Sequence, residues 1–339
     1  MVTAHASDDA DARLRWRAAL LSLVVATAVL AIKFWAFEVT GSKAVLSDAL
    51  ESIVNVVAAA FAIGGIVFAG LPADRNHPFG HGKIEFFAAA FEGGLIAFAA
   101  LAILWESLQG FVQGSTIREL DFGLLVVFVA GVINAALGTF LLRVGRRHRS
   151  LTLIADGQHV LADSWTSAGV LIGLLLVKLT GLPWIDPAVA AVMAVWLLIT
   201  GARLVRHAAG GLLDEEDPEV VGRIVEMLGS QVGNGVISVH HLRAIRAGRF
   251  HHVSAHLVVP EFWSVERAHD LADGLAARVM RQVALEGEIT FHTDPCHRAY
   301  CERCDVEVCS VRARPFGGRQ PLTIDDAVRP DAPRLSPGT

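Results

Sequence analysis

The stretch Ser47–Val57, SDALESIVNVV, places Asp48, Glu51 and Asn55 inside an apolar run that extends from about residue 43 to 70. A helix needs roughly 20 apolar residues to cross a bilayer, so this run reads as a membrane span. Its polar residues recur at i, i+3 and i+7, which sets them on one helical face. Ionisable groups at such depth are costly and mark a pathway or a binding site by default.

Five further runs qualify as spans, at about 15–38, 84–111, 120–143, 152–180 and 186–206. The whole chain of 339 residues is 53% hydrophobic and only 19% charged, with a mean hydropathy of +0.48. A water-soluble protein of this length rarely reaches such an average. The first run is too long for a signal sequence and lacks a small-residue cleavage site, so it reads as a retained helix. Past about residue 210 nothing is long enough to span. The expected organisation is a leader over 1–14, a six-helix membrane domain over 15–210, a small α+β domain over 211–295 and a Cys-rich, disordered tail over 296–339.

Arg13, Arg15, Arg17, Arg75, Lys83, Arg143, Arg146, Arg147, Arg149, Arg203 and Arg206 fall on one side of this arrangement. The other side holds little beyond Lys33, Lys43, Arg118 and Lys178. The positive-inside rule then puts both termini and the α+β domain in the cytoplasm, with the helices in the cell (inner or plasma) membrane. A net charge of −5 gives no nucleic-acid signature.

The fifth run supplies a partner for the second. In ADGQHVLADSW, His159 and Asp163 stand at i and i+4, with Asp156 one turn earlier. Facing helices that bring Glu51 and Asn55 against His159 and Asp163 would make a four-ligand cage, with Asp48 as a further candidate. Imidazole with carboxylate oxygen suits Zn²⁺, Fe²⁺, Co²⁺ or Mn²⁺. Glu92 and Glu106 stand alone in their runs and read as bundle contacts or helix-end charges. After the second run, PADRNHPFGHGK spaces Asp74, His77 and His81 three and four apart, enough for a second, loop-borne metal site.

The α+β domain reads helix–strand–strand–helix–strand, a sandwich with its helices on one sheet face. Asp217 caps the first helix and Pro218 opens it. His240, His256 and His292 fall on three strands, with Asp294 beyond the last and His269 on the second helix, so the strand residues can converge into an N/O metal site. CHRAYCERCDVEVC, with Cys296, Cys301, Cys304 and Cys309, offers four thiols in a reducing compartment, where metal binding is favoured over disulfides.

These motifs together resemble the cation diffusion facilitators, proton-coupled exporters of divalent transition metals. The resemblance runs from about residue 15 to 295 and rests on ADGQHVLADSWTSAGVLIG, PADRNHPFGHGK, LLDEEDP, VHHLRAIRAGRFHHVSAHL and FHTDPC. It implies a ferredoxin-like cytoplasmic domain, a homodimer, and a transport site at Glu51, Asn55, His159 and Asp163. It also implies a loop site at Asp74, His77 and His81, and a binuclear cytoplasmic site at His240, His256, His269, His292 and Asp294. An ion pair between Lys83 and Asp214 would join the domains. Similar transporters carry Asp or His, then Asp, where this chain has Glu51 and Asn55, so the site's location is better supported than its chemistry.

On this reading the protein is not an enzyme: neither HExxH nor GxxxxGK[ST] occurs in the chain. It exchanges Zn²⁺ (or Fe²⁺, Co²⁺ or Mn²⁺) for protons, because imidazole must be neutral and carboxyls ionised to ligate. The alternative is a metal-sensing membrane receptor that transports nothing.

Overall fold

The computed structural model describes residues 6–40, 43–113, 122–182, 184–283 and 286–330. The chain divides at Leu213/Asp214 into two compact units.

The first unit is six helices: α1 (Ala6–Thr40), α2 (Lys43–Ala69), α3 (Ile84–Gln113), α4 (Phe122–Arg147), α5 (Leu151–Thr180) and α6 (Ile185–Leu212). All six are long and apolar enough to cross a bilayer. α1 starts at Ala6, so it runs through much of the segment read as a leader. Lys33, read as a loop residue outside the membrane, instead lies within α1, buried, and its Nζ donates to Ser52 Oγ of α2 at 2.8 Å. On the same side, Arg118 and the side chains of Lys43 and Lys178 lie outside the described residues.

Helices pair most closely as α3 with α6, α4 with α5, and α1 with α2. Small residues make this possible, since lipid-embedded helices associate through packing rather than through exclusion of water. At Gly138 of α4 a Cβ would come within 2.7 Å of Leu161 Cγ, and at Gly157 of α5 within 2.9 Å of the Leu142 nitrogen. The glycines therefore hold α4 against the helix that carries His159 and Asp163. Large apolar side chains such as Phe98, Trp105 and Val192 face outward, as lipid requires. At the start of α5, the buried Glu85 of α3 accepts from Ser150 Oγ at 3.1 Å and from the Leu151 N–H at 2.9 Å. Arg15 of α1 stands 3.5 Å from the other Glu85 oxygen, so one carboxylate satisfies a helix N-terminus and an arginine together.

The second unit orders α7 (Pro218–Gln231), β1 (Ser238–Ala247), β2 (Phe250–Val259), α8 (Val265–Val283) and β3 (Gly287–Pro295), the order read from the sequence. Asp217 caps α7 by accepting from the N–H groups of Glu219 and Val220 at 3.0 and 3.3 Å. The sheet order is β1-β2-β3, antiparallel then parallel, with α8 as the crossover between the parallel strands. Val220, Ile224 and Leu228 of α7 and Ala272, Leu275 and Val279 of α8 pack on Val239, Leu242, Ala255 and Leu257 of the sheet. These strand residues alternate with polar ones, so the histidines fall on the opposite face.

The segment read as a disordered tail has a defined path from Cys296 to Pro330 and belongs to this second unit. Tyr300, Cys296 and Cys304 pack on Ile237 and Val258, on the sheet face away from α7 and α8. A short α9 (Ile324–Val328) then lies along β1. There a β-bulge puts His241 at φ +52°, and its N–H donates to the Arg329 carbonyl at 2.8 Å. Apolar residues in the extension are too sparse and irregular for periodicity to reveal this packing.

Candidate metal sites

Three of the four residues read as an intramembrane cage come together between α2 and α5. Asn55 Nδ2 donates to Asp163 Oδ2, and Asn55 Oδ1 lies 3.1 Å from His159 Nε2. Asn55 and His159 are buried and Asp163 is half-buried. With Nε2–H donating to Asn55, the other ring nitrogen of His159 is buried and makes no hydrogen bond among the described residues. Two oxygen-bearing side chains and an imidazole on facing helices thus form one continuous polar contact between α2 and α5. Glu51 and Asp48 fall on α2, but their side chains lie outside the described residues.

Two carboxylates near this contact carry more than the sequence reading gave them. Glu92 of α3 is wholly buried, and neither of its oxygens makes a hydrogen bond among the described residues. It lies close enough to Asp156 and Asp163 to feel their charge, so it is no isolated bundle contact. Asp156, 1% exposed, faces Ser22 of α1. The signal for Glu92 was present, an ionisable residue mid-span, but its companions lie on another helix and share no spacing with it. Lys33 escaped for a related reason, since a lysine near a span end reads as an interfacial charge.

The loop between α2 and α3 gathers Asp74, His77 and His81, whose ligand atoms lie within 4.8 Å of one another. Asp74 Oδ1 is 3.1 Å from His77 Nδ1, and Oδ2 is 3.4 Å from His81 Nε2. The Asp74 carboxylate also accepts from the N–H groups of Asn76 and His77, at 2.8 and 2.6 Å, closing an Asx turn. The His77 N–H chiefly holds this carboxyl below the usual carboxylate range, against a smaller opposing effect of burial. Phe68 meets the His81 ring edge-on at 4.7 Å and helps bury it, while Asp74 and His77 are exposed. The site therefore has one fixed wall and one open side.

On the open sheet face, register aligns three imidazoles in a row. His240 pairs with His256, and His256 with His292. Asp294 stands among them: Oδ2 lies 3.3 Å from His240 Nε2 and 3.0 Å from His256 Nδ1, and Oδ1 lies 3.3 Å from His292 Nε2. The His240, His256 and Asp294 atoms fall within 4.8 Å of one another, a donor set that fits Zn²⁺. His269 is not part of this group. It sits on α8, 69% exposed, 3.5 Å from Asp273 of the next turn. α8 buries its apolar face on the other side of the sheet, so His269 cannot reach the row within one chain.

Of the remaining candidates, Lys83 lies in the turn before α3, and Asp214 follows α6 with φ +59°. Cys296, Cys301 and Cys304 are buried and Cys309 is half-buried, all as free thiols.

Residues 19–213 match the model of the cation efflux transmembrane domain, and residues 217–296 that of the cytoplasmic domain of cation efflux proteins. An uncharacterized transporter of Synechocystis sp. is 33% identical over 284 residues, covering 84% of this chain and 91% of that protein. The cation-efflux pump FieF of Cronobacter sakazakii is 30% identical over 285 residues, 84% of this chain and 94% of that protein. FieF of Escherichia coli O127:H6 is 29% identical over 290 residues, with the same coverage. With six spans and the small α+β domain matched in order, the chain belongs to the cation diffusion facilitator family of multi-pass membrane transporters for cation efflux, and it is a transporter rather than an enzyme.

Proposed function

We propose that the protein exports Zn²⁺ from the cytoplasm across the inner membrane in exchange for protons, as a homodimer with both termini in the cytoplasm. The observation that carries this reading is the contact of Asn55, His159 and Asp163 between α2 and α5, within helices long enough to span. Glu51, one turn from Asn55 on the same helix, completes the ligand set, and Asp48 is held in reserve as a further oxygen donor. Imidazole nitrogen with oxygen donors favours Zn²⁺, with Fe²⁺, Co²⁺ and Mn²⁺ as the competing cargo.

Proton coupling follows from the ligand chemistry. The same His159 and carboxylate lone pairs hold either the ion or protons, so protons entering from outside discharge the site and their loss inside reloads it. Glu92 and Asp156, both buried, lie beside the cage.

The row His240–His256–His292 with Asp294 is assigned a regulatory ion. Those residues would hold it, and it would supply the charge that lets two such faces meet. His269, out of reach in its own chain, joins from the second copy. Asp74, His77 and His81 form an accessory loop site.

The test is uptake into sealed proteoliposomes with a panel of Zn²⁺, Fe²⁺, Co²⁺ and Mn²⁺, with lumenal pH read at the same time. Zn²⁺ accumulation with counter-movement of protons supports the proposal. Tight Zn²⁺ binding without accumulation would instead make the protein a metal-sensing receptor.

A further inference from the structure

We propose that Cys296, Cys301, Cys304 and Cys309 form a tetrathiolate Zn²⁺ site that pins the C-terminal extension to the open face of the sheet. This does not rest on the transport reading, and the match to the family's cytoplasmic domain ends at residue 296, the first of the four cysteines.

The limb of the extension that carries the cysteines has little apolar content of its own. It meets the sheet through a small cluster of Ile237, Val258, Cys296, Tyr300 and Cys304, whereas Leu322, Ala327 and Val328 further on join the main core. α9 is only 5 residues long. The ion pairs Arg314–Glu302 and Arg298–Glu261 are largely exposed, and pairs of that kind add about 0–1 kcal/mol each. A limb with so little core of its own gains from a staple, and in a reducing compartment four free thiols supply one through a metal rather than through disulfides.

The local backbone is arranged around the sulfurs. The Cys296 N–H donates to the Val259 carbonyl at 2.8 Å, fixing the first cysteine at the end of the parallel strand pair. The Arg312 guanidinium donates to the carbonyls of Cys301, Cys304 and Val306 at 3.2, 3.1 and 2.6 Å, bracing the Cys301-x2-Cys304 turn. The Ala313 N–H points at Cys301 Sγ at 3.3 Å, a hydrogen bond that strengthens when the sulfur carries thiolate charge.

Among the described residues no three of the thiol sulfurs lie within 4.8 Å of one another, as the two histidine–aspartate sets do. Metal binding therefore draws Cys309, on the half-buried limb, toward the three buried cysteines, and should tighten the extension as it does so. The extension also carries Arg303, Asp326 and Arg329, which line a pocket with His240, so the knot sets one wall beside the histidine row.

The test loads Co²⁺ into the full-length protein, purified reduced in detergent. We expect a sulfur-to-cobalt charge-transfer band that Zn²⁺ displaces, that persists in H240A/H256A, and that disappears in C301S/C304S. In the wild type, Zn²⁺ should also protect the four thiols from alkylation and slow hydrogen exchange over 296–330. Absence of the band, its survival in C301S/C304S, or equal alkylation with and without Zn²⁺ overturns the proposal, and the wild-type measurements decide even if a variant fails to fold.

Discussion

Asn55 is the neutral member of the proposed intramembrane site. Its amide donates to Asp163 while its oxygen faces His159 at 3.1 Å, so a neutral residue stands between two groups that bind protons. Asn55→Asp removes the donor and sets a second carboxylate against Asp163, which only a cation or a proton can reconcile. That variant should bind Zn²⁺ tighter by about tenfold or more and exchange more protons per ion. Isothermal titration and the proton-to-metal flux ratio measure both effects, and no change in either would remove Asn55 from the ligand set. Tyr300 gives a test outside the membrane. Its ring is buried but its hydroxyl makes no hydrogen bond among the described residues, and burial pushes the phenol up to about 12. Tyr300→Phe should leave the fold intact or stabilise it by up to about 1 kcal/mol in thermal unfolding. Because the folded phenol keeps its proton above its ordinary value near ~10, stability in the wild type falls as pH rises through that range. Tyr300→Phe should lose this alkaline slope.

At the scale of elements, the α4–α5 contact decides how accurately the ligand helix is held. A Cβ at Gly157 would meet the Leu142 nitrogen at 2.9 Å and the Gly138 carbonyl at 3.0 Å, so Gly157→Ala must push two backbones apart. We expect a loss of about 1–3 kcal/mol in thermal stability, with transport falling further than stability because His159 lies two residues on. Gly222 of α7 has nothing within 4 Å of its Cβ position, and Gly222→Ala should stabilise by about 0.5–1 kcal/mol without touching transport. If both substitutions behaved alike, helix propensity rather than close approach would govern α5. Much of this was legible in the chain. Apolar length located six spans, the i, i+4 spacing of His159 and Asp163 put both on the face of α5 that meets Asn55, and strand alternation put three histidines on one sheet face. What periodicity does not carry is company across helices: Glu92 meets Asp156, and Lys33 meets Ser52, only once the bundle packs. The extension was misread for the same reason, since its few apolar residues find their partners on the open sheet face and in the helix–sheet core.

For the whole molecule, the separation of His269 from the histidine row has a direct consequence. If the row recruits His269 from a second copy, Zn²⁺ should strengthen dimerisation in the wild type, and His269→Ala and His240→Ala should each weaken that response. Sedimentation in detergent, with and without Zn²⁺, reads this out, and a Zn²⁺ response untouched by His269→Ala would confine the site to one chain. The loop site is expected to behave differently. The His77 N–H holds the Asp74 carboxyl below the usual carboxylate range, and metal there should still be lost on acidification, because protons compete for its ligands. The central claim is that an ion crosses between α2 and α5 at the expense of protons. The most direct measurement is Zn²⁺ flux into proteoliposomes under an imposed pH gradient, for the wild type, His159→Ala and Asp163→Ala. The account predicts gradient-driven Zn²⁺ accumulation in the wild type and its loss in both variants, with each still folded. Flux retained in both, or wild-type flux indifferent to the gradient, would contradict it.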